Sequence, residues 1–344
     1  MKTVVCHGAG DLRIQQQEAP SPGCGEVLLN VEAGGICGSD LHYYHDGGFG
    51  AIRIREPIIL GHEVAGRIAA LGEGVADLAV GDLVAINPSQ PCGQCEYCQR
   101  GQHNHCLEMR FYGSAMRFPH VQGAFRQALV ARAGQCFRLP AGSNPQHAAL
   151  AEPLSVVLHG IRRAGNLLGA RVLITGCGPI GALAVAAARL HGALEVVVTD
   201  VVDAPLTRAL EVGADRTVNV ASDAAGLQDY ARNKGYFDVV IEASGNQQAL
   251  RSALEVIRPR GRLIQVGTGG DVSLPQSVIV AKEIEWCGSF RFHEEFAWAV
   301  ELIASGRVPL APLVTGVYGV DEAVAAFEAA GDRRRSMKVL LAFQ

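Results

Sequence analysis

A chain of 344 residues has room for about two domains, and with 49% hydrophobic residues it can fill the core of each. Its formal net charge of −4 gives no general affinity for polyanions, which argues against nucleic acid as a partner. No apolar run approaches the roughly 20 residues of a membrane span and Met1 to His7 do not form a signal peptide, so a soluble cytoplasmic protein with no membrane partner is expected.

Residues up to about 150 are punctuated by glycine and lean to β structure. Glu26–Glu32, Glu63–Leu71 and Asp82–Ile86 read as strands between turn signals, which predicts a compact barrel-like domain with inserted loops. One insert carries Cys92, Cys95, Cys98 and Cys106, spaced C-x2-C-x2-C-x7-C. In a long chain without a secretion signal, clustered cysteines point to metal rather than disulfides. Four thiolates this close suit one closed tetrahedral zinc, structural because no position is left for substrate; an iron–sulfur cluster and reduced spectators are the alternatives. His103 and His105 then read as exposed loop residues, since the cysteines already fill the shell.

From about residue 154 the pattern becomes strand–helix alternation. The apolar run Arg171–Thr175 leads into Gly176, Gly178 and Gly181, a G-x-G-x-x-G turn enclosing Pro179 and Ile180, and Ala182–Leu190 follows as a helix. Gly176 permits the tight turn, Gly178 lets backbone approach a pyrophosphate, and Gly181 lets helix and strand pack closely. Free N–H groups at the helix start favour phosphate there. A second apolar run, Glu195–Asp200, ends in a carboxylate 19 residues beyond Gly181, placed to accept from adenosine ribose hydroxyls. Helical stretches at Leu206–Val212, Leu227–Lys234 and Gln247–Ile257 separate strands near Val218, Phe237–Glu242 and Arg262–Val266, which predicts a parallel, doubly wound sheet. Past Ser289 come amphipathic helices at Glu294–Ser305 and Asp321–Ala330 and a strand at Lys338–Leu341, a tail able to return to the first domain.

Cys37, the pair His62 and Glu63, and Glu152 are scattered, and the ordinary readings are a small buried residue for Cys37, a hydrogen-bonded strand end for His62 and a helix-start carboxylate near Pro153 for Glu152. In chain order, however, Cys37-x-Ser39-x-x-His42, Gly61-His62-Glu63, the four-cysteine loop and the glycine turn resemble the zinc-dependent medium-chain dehydrogenase/reductase family over essentially the whole chain. Ala151 to Ser155 and Ser289 to Phe292 are similar to its polyol branch, the sorbitol and L-idonate 5-dehydrogenases. His42 to Tyr44, Ile86 to Ser89 and Met109 to Val121 are most similar to the L-idonate type, and Phe111 to Gly123 differs from the usual sorbitol segment.

The resemblance implies an α/β two-domain fold: a GroES-like β-barrel catalytic domain (1–153), a Rossmann doubly wound parallel sheet (154–288) and a return segment (289–344). It implies two zinc ions per chain. Cys37 and His62 would hold the catalytic ion with Glu63 and Glu152, one directly and one through water, while the cysteine loop holds the other. Ser39 and His42 resemble a hydroxyl–histidine proton relay, suited by an imidazole pKa near about 6.5. Val266, Gly267 and Thr268 would meet the nicotinamide, with Ser289, Phe290 and Arg291 beside them on a later strand edge. Arg291 would anchor substrate or cofactor, its planar fork suiting a sugar-acid carboxylate, with Arg110 and Arg117 as rivals. Tyr43 and Phe118 are further substrate candidates. Asp203 follows Asp200 closely and no arginine comes before Arg208, so NAD is favoured over NADP. The expected reaction is oxidation of a secondary alcohol of a sugar acid, most simply L-idonate to 5-keto-D-gluconate, with hydride passing to NAD. A neutral polyol of the sorbitol or xylitol type is the alternative, and a non-catalytic zinc and nucleotide-binding protein a remote one. Family analogy implies a homodimer or homotetramer.

Overall fold

The computed structural model describes residues 1–343, and two sheets dominate it. The parallel unit has six strands in spatial order Arg216–Asn219, Glu195–Asp200, Arg171–Thr175, Phe237–Glu242, Ile257–Gln265, Glu285–Gly288, every pair parallel. Its strands are short Val/Ile/Leu runs because both faces are covered. Val172, Ile174, Val196 and Val198 join one core, while Leu173, Val197 and Val240 join another on the opposite face. The order reverses between Arg171–Thr175 and Phe237–Glu242, opening a crevice at the carboxyl ends of these strands.

The second unit is a mixed seven-stranded sheet in which Glu26–Gly35 is central. It pairs antiparallel with Glu63–Leu71 and Ala128–Arg132, and Lys338–Ala342 adds to its far end with Leu340 opposite Gly35. The tail therefore does come back to the sheet formed by the N-terminal part of the chain, and Val339, Leu341 and Phe327 pack in one core with Val27 and Leu29. The helix Ala151–Ala164 lies between the units. Leu154, Val157 and Ile161 share a core with Ala33 and Leu83 of the mixed sheet and Val172 and Ile174 of the parallel one.

Most predicted elements appear with boundaries shifted by a few residues. The exception is the helix expected at Leu227–Lys234, which is a 3-10 run, Gln228–Lys234, with Arg232 and Asn233 out of helical conformation. Only Leu227 and Tyr230 are buried there, three residues apart, which matches a three-residue turn and leaves nothing to anchor a longer α-helix. Among the described residues, no helix is long and apolar enough to cross a membrane.

Candidate active site and metal centres

Strand register builds the central cluster. Gly35, at the end of Glu26–Gly35, is paired with Glu63, at the start of Glu63–Leu71. The residue two past one strand end, Cys37, thereby meets the residue just before the other strand, His62. One donor atom each from Cys37, His62 and Glu63 lies within 4.8 Å of the other two. Cys37 also caps the helix Gly38–Asp46, where Asp40 accepts from Cys37 N–H at 3.0 Å and from Gly61 N–H at 3.1 Å. The two loops are thus fastened by one buried carboxylate, whose Oδ1 stands 3.8 Å from His62 Nδ1. Burial raises the Asp40 pKa.

Lys338, opening the returning strand, donates to both oxygens of Glu63 at 2.8 and 2.7 Å and to the Ile36 carbonyl at 3.1 Å. The pair is 3% and 1% exposed, so the glutamate is held rigidly over Gly35. Any side chain at Gly35 would run into that carboxylate. Glu152, in the first turn of Ala151–Ala164, is buried but not within the same 4.8 Å of all three donors. Burial pushes its carboxyl up to about 7, with His62 opposing and Glu63 adding to the rise. Burial would lower the His62 pKa, yet the charges of Asp40, Cys37 and Glu152 outweigh it and hold that pKa well above the usual value. A buried imidazole among thiol and carboxylate groups is a setting short of positive charge. A Cys/His/carboxylate donor set of this kind suits a zinc with one position left open.

Around this cluster the remaining candidates separate. Tyr43 is 2% exposed, and its hydroxyl accepts from Ala115 N–H at 2.9 Å, docking the loop that follows Phe111. Arg291 lies over the Phe111 ring at 4.6 Å and over Phe290 at 5.0 Å, and its Nη2 bonds Met116 Sδ at 3.0 Å. Burial lowers its pKa, while the charges of Glu152 and Tyr43 act the other way. Phe111 itself stands 5.4 Å from the His62 ring. Phe118, by contrast, is 58% exposed and lies beneath the Arg55 guanidinium and beside His120. Of the two aromatics in that segment, Phe111 is the one brought to the cluster. Arg117 is tied to Glu108 and to loop carbonyls. Ser39 is half-buried, and His42 is exposed, with Nδ1 3.1 Å from Asp46.

The cysteine loop needs no distant help. One thiol from each of Cys92, Cys95, Cys98 and Cys106 lies within 4.8 Å of the others, and none is in a disulfide. Cys92 N–H donates to Cys106 Sγ at 3.1 Å and Cys95 N–H to Cys92 Sγ at 3.4 Å. Backbone N–H groups of Cys98 and Leu107 pull Cys95 down to about 6, whereas burial pushes Cys98 up to about 12. The neighbouring histidines face elsewhere: His103 stacks on His293 at 3.9 Å and His105 against Phe290 at 5.9 Å. Four thiols without imidazole or carboxylate fit a closed structural zinc. A cavity of about 690 Å³ lies beside this loop between Ser89, His103, Phe137 and Trp298, away from the central donors. It is the donor chemistry of Cys37, His62 and Glu63 that makes the central cluster the candidate site.

In the other unit, the crevice has the features of a dinucleotide cradle. Gly176 has φ +84°, and a side chain at Gly181 would collide with the Gly176 carbonyl. Gly178 caps the helix Pro179–Leu190, and a Cβ there would meet nothing within 4 Å, so the approach to the helix N-terminus stays clear. Val266 and Gly267 donate to the Glu242 carbonyl, which keeps Val266 to Thr268 at the same edge. Ser289 donates its N–H to Gln265, and its Oγ is buried without a partner, as is Gln265 Oε1. Orphaned polar atoms beside this crevice suit a polar ring edge such as a carboxamide. Phe290 turns the other way, toward the cysteine loop, where its carbonyl accepts from Asn104 Nδ2 at 2.9 Å. At the ribose end the sequence expectation fails in one respect. No arginine follows Asp200 closely along the chain, but Arg333, from the turn before the last strand, reaches its Oδ2 at 2.7 Å.

Sequence reasoning passed over Lys338, Asp40, Phe111 and Arg333 as site residues. Asp40 had a readable signal, a carboxylate three residues after the cap residue Cys37. The other three arrive by long-range packing.

Residues 23–141 match the alcohol dehydrogenase GroES-like domain, and residues 179–305 the zinc-binding dehydrogenase family. An L-idonate 5-dehydrogenase (NAD(P)(+)) of Escherichia coli is 43% identical over 318 residues, 92% of each chain. A sorbitol dehydrogenase of Bacillus subtilis is 38% identical over 96% of this chain and 93% of that one. The crystal structure of L-idonate 5-dehydrogenase from Escherichia coli superposes with a TM-score of 0.95 at 41% identity, covering 99% of this chain and 98% of the other. Two family models spanning well over half of the sequence, and relatives matched nearly end to end, establish that the chain belongs to the zinc-dependent medium-chain dehydrogenase/reductase family.

Proposed function

We propose that the protein oxidises a secondary hydroxyl of a hexonate, L-idonate to 5-keto-D-gluconate, with NAD as the preferred acceptor. The observation that carries the acid reading is Arg291. Among the described residues it has no carboxylate within ion-pair distance, and it lies over Phe111, whose ring stands against His62. A cation spread over aromatic faces and left without a counter-ion is ready for an anionic group on the substrate.

Zinc, when bound by Cys37, His62 and Glu63, supplies the Lewis acidity that lowers the pKa of the substrate hydroxyl, and the dinucleotide takes the hydride. Glu152, just outside that set, would act through water. Lys338 and Asp40 keep Glu63 and His62 in place. Ser39, half-buried, and His42, exposed, lie three apart on one helix, and they would carry the released proton outward. Gly176, Gly178, Pro179, Ile180 and Gly181 would hold the pyrophosphate, Asp200 the adenosine ribose, and Val266, Gly267, Thr268 and Ser289 the nicotinamide end. Residues 1–153 and 289–344 form the catalytic domain in this reading, and 154–288 bind the cofactor. The enzyme works in the cytoplasm as a homodimer or homotetramer, for which the outer edge of the last strand of the parallel sheet, Glu285–Gly288, with Trp286 38% exposed, offers a surface.

The test is a panel of hexonates and hexitols followed by absorbance of the reduced cofactor. Arg291→Ala should lower kcat/KM for the hexonate by about 10- to 100-fold more than for a hexitol, the worth of one charge-assisted contact. Equal losses for both series would rule out the anchoring role and favour the neutral polyol.

A further inference from the structure

Asp200 ends its strand with a side chain 2% exposed. Its Oδ1 accepts from Val201 N–H at 2.7 Å and Val202 N–H at 3.1 Å, and its Oδ2 from Cys177 N–H and Arg333 Nη2, each at 2.7 Å. A carboxylate offers about four lone-pair sites, so every one is taken. Three of the donors are backbone groups of the turns that form the crevice and cannot leave without undoing those turns. The fourth is a side chain, 53% exposed, that crosses from the return segment.

The turn carrying Arg333 is fixed. The Asp332 carbonyl accepts from the N–H groups of Arg335 and Ser336, both at 3.0 Å, and Asp332 Oδ1 accepts from Arg334 N–H at 3.1 Å. Where Arg333 leaves the backbone is therefore set, and only its side chain is free to swing. Of the other charges nearby, Asp203 is engaged with Asn219 Nδ2 at 2.5 Å and Arg208 with Glu211 at 2.9 Å, while Arg335 of the same turn lies on the side of Pro205 and Arg208.

We propose that Arg333 governs whether the adenosine-ribose subsite accepts a 2′-phosphate as well as a 2′-hydroxyl. The proposal rests on the reading of Asp200 as the ribose carboxylate. A 2′-hydroxyl that donates to Asp200 takes over Oδ2, and Arg333 yields it, so the guanidinium competes with NAD. A 2′-phosphate has no proton to donate and is repelled by Asp200. Arg333, a side-chain rotation away, neutralises that carboxylate and presents parallel N–H groups to the phosphate oxygens. One residue from a remote turn thus opposes the preference for NAD that Asp200 and Asp203 set up.

The experiment measures dissociation constants of NADH and NADPH by nicotinamide fluorescence on the zinc-loaded full chain, wild type and Arg333→Ala. Arg333 is a surface side chain, and circular dichroism checks that the variant is folded. The expected result is that NADPH weakens by about tenfold or more while NADH holds or tightens. Equal weakening of both cofactors would place Arg333 on the shared pyrophosphate and overturn the proposal. So would no change in either, or a wild type that binds NADH but not NADPH. Failure of the underlying reading looks different: a wild type that binds neither dinucleotide defeats the cofactor site itself.

Discussion

The cysteine loop and the central cluster are both fitted to a divalent cation, and they are built in opposite ways. The loop gathers four like donors within 15 residues, 92 to 106, and its own backbone N–H groups orient the sulfurs. The cluster takes unlike donors from two strand ends, and its glutamate is held by a lysine 275 residues away. A site of the first kind organises its own segment and little else. A site of the second kind exists only once the whole fold has closed, so it reports on the fold rather than causing it.

Two cysteine variants break or sharpen that contrast. Cys37→Ser should lower kcat/KM on the order of 10⁴-fold, about 5.5 kcal/mol, if the central cluster is the reactive centre proposed above, because it removes one of its donors. Its thermal midpoint should stay close to wild type, since the surrounding strands pair without it. Cys98→Ser should do the reverse, lowering the midpoint by several degrees while the folded fraction keeps most of its kcat. Metal analysis should find each variant short of one of the two expected ions. If both variants lose activity and stability alike, the division of labour between the two sites is wrong.

Lys338→Met tests the long-range side of the contrast. It leaves the Glu63 carboxylate buried without its cation, and breaking such a pair costs about 3–5 kcal/mol. Urea unfolding should show that loss, and adding Glu63→Gln should recover a large part of it by removing the stranded charge. No recovery would mean that Lys338 acts through its Ile36 carbonyl bond and strand packing instead.

The same contrast explains what was legible in the sequence. The cysteine loop, the glycine turn and Asp200 are local patterns, and residue spacing alone specifies their geometry. The parallel sheet was readable because its strands are continuous apolar runs set between helical patterns. The central cluster is not local: Cys37, His62 and Glu152 each look ordinary, only family likeness joined them in the sequence, and in the structure the register of Gly35 with Glu63 brings Cys37 to His62. Lys338 reads as the polar edge of an apolar strand, and nothing in its neighbours announces that it turns inward. Arg333 sits in a run of three arginines that reads as a solvated turn. Phe118 and Phe111 are equally plausible as letters, and the path of the loop decides between them.

The helix that presents Glu152 is itself secured by a carboxylate, and this gives a pH-dependent test. Glu295, 1% exposed, bonds His159 Nδ1 of that helix at 3.0 Å and accepts from His293 N–H at 2.8 Å. Burial would raise its pKa, but these bonds and the His159 charge lower it from the usual 4.5 to about 2. A depressed carboxyl stabilises the fold fully above the unfolded value and loses that contribution as pH falls toward the folded one. Glu295→Gln should therefore cost about 3 kcal/mol near neutral pH, with the gap to wild type closing between about pH 4.5 and 2. A constant gap across that range would assign the cost to packing rather than charge.

The smallest effect concerns the seam between the loop and the rest of the molecule. Asn104, 8% exposed, donates to the Phe290 carbonyl at 2.9 Å, one residue from Arg291. Asn104→Ala removes one buried hydrogen bond, worth about 1 kcal/mol. Alone that is a small shift in the urea midpoint, but combined with Cys98→Ser it becomes diagnostic. If the cysteines organise the loop, Cys98→Ser already releases Asn104 from Phe290, and the second change should add almost nothing. The coupling energy of the double-mutant cycle should then be close to the full 1 kcal/mol. Additive losses would show that the loop stays docked through Asn104 without its thiol cluster, and that the segment owes its shape to the sheet edge beside it.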